Sequence, residues 1–74
     1  MKRIRKLRLG EGWNEFELAR RARVHPSELS GLELGRRVPS AESVVLRRLA
    51  RALHWQGDPA ALLEEVGDDD REDM

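Results

Sequence analysis

The 74 residues allow one domain with a small core, and the absence of cysteine excludes disulfides and any cysteine-dependent metal site. The formal net charge of zero hides an uneven distribution. Residues 1–57 carry 13 of the 14 Lys and Arg against six Glu, a balance of +7, whereas residues 58–74 set Arg71 against eight acids, a balance of −7. His25 and His54 are too far apart for a helical pair of ligands, so no metal or other cofactor is expected. No apolar run approaches the roughly 18 residues that span a bilayer. The basic start, MKRIRKLRLG, also lacks the apolar stretch of a signal peptide. The expectation is a cytoplasmic protein with no membrane association.

In chain order, Ile4 and Leu7 share one side of a first helix, about Lys2 to Leu9, closed by Gly10 and Gly12. Asn14 is a good N-cap with Glu17 three residues on, which predicts a second helix from Glu15 to about Ala22 with Leu18, Ala19 and Ala22 inward. His25-Pro26 opens a third, because proline suits the first helical position. Leu29 and Leu32 form its buried stripe, and Gly35 can take the left-handed position after it. Val38-Pro39-Ser40 is a break followed by an N-cap for a longer fourth helix, to about His54, with Val45, Leu46, Leu49, Ala50 and Leu53 inward. Asp58-Pro59 repeats the cap-then-proline start for a short fifth helix bearing Ala61, Leu62 and Val66. No segment alternates with period two over strand length. The expected fold is all-α, with residues 1–66 as the domain and 67–74 as an acidic tail too polar to pack.

Trp13-Asn14-Glu15-Phe16-Glu17-Leu18-Ala19, then Ala22-Arg23-Val24, Leu29, Leu32-Glu33 and Gly35-Arg36-Arg37-Val38-Pro39-Ser40, resembles the Cro and phage-repressor (XRE-like) type of helix-turn-helix domain. Leu49-Ala50-Arg51-Ala52-Leu53 is similar to that family's fourth helix, so the likeness covers about residues 2 to 66. It implies a compact five-helix, lambda-repressor-like domain in which helices 2 and 3 form the helix-turn-helix and helix 3 enters the major groove of DNA. Four features depart from the family pattern. Glu15 replaces a glutamine that often bonds phosphate, Arg23 replaces the glycine of the turn, and Pro26 replaces a long polar base reader. The stretch between Pro39 and Leu53 is also two residues longer. A left-handed Arg23 would cost about 1 kcal/mol.

The helix wheel agrees on geometry: with Leu29 and Leu32 inward, Ser27, Ser30, Gly31 and Leu34 fall on the opposite side. Small residues there permit close approach to base edges, serine hydroxyls can donate or accept, and Leu34 can touch a thymine methyl. The same positions also read as a plain polar helix face. Glu28 either accepts from a cytosine amino group or reaches back to the His25 N–H of its own helix. With few base readers on helix 3, reading would shift to Arg36 and Arg37 in the loop, where the alternative is solvated charge. Asn14 and Glu15 would approach phosphate through the backbone N–H groups of the helix 2 N-terminus. Lys2, Arg3, Arg5, Lys6 and Arg8 would supply further phosphate attraction.

Arg20 or Arg21 can instead pair with Glu17. Trp13 reads as core, Phe16 as a partly exposed contact candidate, and Trp55 as buried or in a dimer contact. The residues thus point to a transcriptional regulator that binds double-stranded DNA, acting as a homodimer with helix 3, about residues 26–34, in the groove. No small-molecule substrate and no enzymatic chemistry are expected, since no nucleophile-base pair or phosphate-cradling glycine loop is visible. The alternative is an adaptor that keeps the frame but binds protein, as Glu15, Pro26, Glu28 and Leu34 near the groove side would suit.

Overall fold

A computed structural model describes residues 1–37, 39 and 43–67. Among these the chain is helical: α1 Arg3–Gly10, α2 Glu15–Ala22, α3 Pro26–Glu33 and α4 Val44–Ala52, followed by a 3-10 helix, Pro59–Leu63. The expected count of five α-helices is therefore corrected to four. Asp58 and Pro59 do start the last segment, with the Asp58 side chain accepting from the Ala60 N–H at 3.0 Å. It stops short because the following residues pair with the start of the chain instead. The Arg3 N–H donates to the Glu64 carbonyl and the Val66 N–H to the Met1 carbonyl, each at 2.8 Å, around a bridge between Lys2 and Glu65. Extended pairing and helical continuation compete for the same backbone groups, and pairing wins.

The four α-helices end alike. Gly12, Arg23, Gly35 and His54 each take positive φ, and the next residue's N–H reaches back five positions to a helix carbonyl. This pattern satisfies carbonyls that a helix end leaves without partners. At Gly35 (φ 77°) the left-handed state is cheap, as expected. At Arg23 (φ 61°, ψ 43°) a Cβ crowds the backbone, so the cost anticipated from the sequence is present. Arg23→Gly is expected to stabilise the domain by about 0.5–1 kcal/mol, raising Tm by a few degrees. A thermal melt monitored by circular dichroism would show it, and an unchanged or lower Tm would mean that the arginine side chain compensates.

The helix starts follow the sequence closely. The Asn14 side chain accepts from the Glu17 N–H at 2.8 Å, and the His25 ring Nδ1 accepts from the Ser27 N–H at 3.1 Å. The cap of α3 is thus His25 itself. At α4 the start moves: Ser43, whose Oγ accepts from the Leu46 N–H at 3.3 Å, caps a helix shorter than expected. Ser40, the expected cap, lies outside the described residues.

One core joins all the elements: Ile4 from α1, Leu18, Ala19 and Ala22 from α2, Leu29 and Leu32 from α3, Leu46, Leu49 and Ala50 from α4, with Leu53 and Leu62. α2 packs on both α3 and α4, while the 3-10 helix bridges α4 and α1. Leu62 is fully buried within the chain, so the last segment spends its best apolar residue on its own core. Trp13 and Trp55 lie half-buried against this cluster. The Trp55 Nε1 donates to the Asp58 carbonyl at 3.0 Å, and the Arg3 guanidinium stands 5.3 Å above its ring.

Candidate nucleic-acid interface

The α2–turn–α3 unit exposes one side of α3 and the loop after it. Ser27, Leu34, Arg36 and Arg37 are exposed, Ser30 and Glu28 half-buried, and together with Gly31 most of them line an open concavity. Leu34 is 58% exposed, a large apolar side chain at the end of α3. The Ser27 hydroxyl lies 2.8 Å from the His25 Nδ1. Glu28 donates its backbone N–H to the His25 carbonyl at 3.0 Å, and the reach-back of its carboxylate to the His25 N–H is not among the described hydrogen bonds.

Gly31 corrects the wheel. It points to the expected side but is buried, because the loop folds back over it. A Cβ built on Gly31 would meet the Arg37 side chain at 3.0 Å from Cδ and 3.1 Å from Nε. The space at Gly31 therefore admits an arginine from the loop.

The N-terminal cations divide into pairs. Lys2 bridges Glu65 at 3.2 Å and Arg3 bridges Glu64 at 3.0 Å, while the Lys6 Nζ donates to the Gly67 carbonyl at 3.3 Å. Lys2 and the N-terminal amine hold the Glu65 carboxyl below the usual carboxylate range. These exposed pairs are weak, and phosphate could displace them. Arg5 is exposed and makes no ion pair among the described residues. The expectation that Arg8 attracts phosphate is overturned, since it is buried and bound to Glu33. Its Nε and Nη2 donate to the two Glu33 oxygens at 2.8 and 3.0 Å, and Nη1 donates to the Trp13 carbonyl at 2.9 Å. Hydrogen bonding to Glu33 raises the Arg8 pKa, against the opposing effect of burial, so the guanidinium keeps its charge. The sequence carried one signal for this: Arg8 lies four residues after buried Ile4, on the same helix face.

On α2, Arg20 and Arg21 both bind the Glu17 carboxylate. Partial shielding from water acts to raise that carboxyl, but hydrogen bonds from Arg21 and the charges of both arginines hold it below the usual range. The Arg21 guanidinium also stands 4.5 Å above the Trp13 ring. Both charges are therefore engaged, where the sequence reading had one of the two pair with Glu17. Phe16 is 71% exposed, beside Glu15 at the start of α2.

Glu15 is half-buried at the first position of α2, where its neighbours oppose ionisation. Desolvation and the adjacent Glu33 carboxyl push its pKa up, more than Arg8 and Arg5 pull it down. A raised carboxyl pKa means that the charged form costs the fold stability at neutral pH, a cost relieved as pH falls through the raised value. Glu15→Gln should therefore stabilise the protein at pH 7, with the gain shrinking as the pH is lowered. It also removes a negative charge from the helix end that would face phosphate, so duplex affinity at low salt should rise severalfold. Urea melts across pH and duplex titrations check both, and a loss of affinity would show that Glu15 does not lie near the DNA backbone.

Among the described residues no helix is long and apolar enough to cross a membrane. Asp68 to Met74 lie outside the described residues. A family model for a helix-turn-helix domain matches residues 2–63. No curated protein and no solved structure matches the chain.

Proposed function

This chain belongs to the helix-turn-helix domain family, in its Cro- and XRE-like form, and from that membership we propose that it is a transcriptional regulator reading double-stranded DNA as a homodimer. In this reading α3 enters the major groove, with Ser27, Ser30 and Leu34 toward base edges. Arg36 and Arg37 flank it, while Arg5 and the backbone N–H groups behind Asn14 and Glu15 approach phosphate. Residues 1–66 would act as the binding domain and 67–74 as an acidic tail, which either competes with phosphate at low salt or serves only to solubilise the chain. The observation that carries the proposal is the open face of α3 with its two adjoining arginines.

The test is Leu34→Glu. Leu34 is exposed, so the change leaves the core untouched and sets a negative charge where a base edge would lie. The helical circular dichroism spectrum should be unchanged and duplex binding lost. Binding retained at matched salt would remove α3 from the groove. It would favour the second reading, a protein-binding adaptor, which the exposure of Phe16 and Leu34 supports.

A further inference from the structure

We propose that Gly31 is a seat for Arg37, so that a loop arginine serves as the base reader that residue 31 of α3 cannot itself supply. The proposal rests on the DNA-reading function above and assigns specificity within it. The backbone is arranged for this delivery. Gly35 reverses the chain, and the Arg36 and Arg37 N–H groups both donate to the Gly31 carbonyl, at 2.8 and 3.3 Å. Arg37 is thereby anchored beside the one position of α3 that has no side chain. Its stem then lies on the helix: Cδ, Nε and Cγ would stand 3.0, 3.1 and 3.2 Å from a Cβ at position 31. Gly31 is buried while Ser27 and Leu34 on the same face are exposed.

Gly31 sits inside α3, where the backbone has no positive φ that demands glycine, and where glycine weakens a helix relative to alanine. The structural return for that weakness is the space that Arg37 fills. Arg3, Arg8, Arg20 and Arg21 each hold an acid, whereas the exposed Arg37 guanidinium holds none among the described residues. A guanidinium presents a planar fork matching guanine O6 and N7, and one whose stem is already ordered loses less freedom on binding.

The experiment is a double-mutant cycle of Gly31→Ala and Arg37→Ala, with Arg37→Lys alongside, each titrated on the wild type's preferred duplex and on random duplex. Arg37→Ala should weaken binding to the preferred site about tenfold to hundredfold. Gly31→Ala should weaken it about fivefold or more and flatten the preference at the same base pair, because the seat is filled. It should leave random-duplex affinity and melting temperature no lower than wild type, since every charge remains and alanine favours the helix. In the Arg37→Ala background it should cost nothing further, and Arg37→Lys should keep random-duplex affinity but lose the base preference. In the free protein, Gly31→Ala should shift the Arg37 Nε–H resonance. Equal losses from Gly31→Ala with and without Arg37 would overturn the proposal, because added bulk alone would then explain them. So would a wild-type preference surviving Gly31→Ala. If the wild type shows no preferred duplex at all, both this assignment and the regulator reading fail together.

Discussion

Glu33→Ala is expected to remove a large part of the domain's stability. Arg8 and Glu33 retain only 6% and 9% of their exposure, and the carboxylate accepts both hydrogen bonds of the guanidinium fork. Removing one member strands a buried charge, at about 3–5 kcal/mol. A domain of 74 residues has about 4–11 kcal/mol in total at typical stability per residue. The Glu15 charge also favours the Arg8 cation and would soften the loss without matching the bidentate geometry. Replacing both partners by apolar residues of similar size, Arg8→Met with Glu33→Leu, should recover most of the stability, because no charge is then left in the core. Urea melts of the three variants measure this. A Glu33→Ala midpoint close to wild type would show that water reaches the Arg8 guanidinium.

The second large effect is on DNA. Arg36→Ala combined with Arg37→Ala should weaken binding to the preferred duplex by about 2–6 kcal/mol, taking about 1–3 kcal/mol for each base-reading arginine. Both side chains are exposed beside the open face of α3. Arg20 and Arg21, already bound to Glu17, are the comparison: their replacement should cost less and act alike on all sequences. Core packing does not involve Arg36 or Arg37, so helical content should hold. A double variant binding the preferred duplex as tightly as wild type would remove the loop from recognition.

The parts of the fold set by local chemistry were legible in the sequence. Asn14 capping α2, His25-Pro26 opening α3 and Gly35 closing it act within a few residues of themselves, and the structure has them where those residues stand. The apolar stripes were equally readable, since Leu18, Leu29, Leu46 and Leu49 all reach the core. Contacts between distant charges were not legible. Glu64 and Glu65 meet Arg3 and Lys2 across more than 60 residues, and that pairing turns the expected fifth α-helix into a 3-10 helix. Arg8 and Glu33 each look like surface charge until α1 and α3 are brought together. For Gly31 the helix wheel gave the direction correctly and missed the cover, because periodicity says nothing about a loop folding back. The candidate site was therefore readable as a face of α3, and its arginine was readable only as a neighbour in sequence.

The most direct measurement of the central claim is selection of duplexes from a random library by the full chain, followed by titration of the enriched sequence against salt. A homodimer presenting two copies of α3 predicts one enriched sequence with two-fold symmetry, its half-sites about one helical turn, 10–10.5 base pairs, apart. Affinity for it should fall with rising salt, yet exceed random-duplex affinity by about a thousandfold or more at physiological ionic strength. A library that emerges without any enriched sequence, from a protein with its full helical spectrum, would contradict DNA reading by this domain.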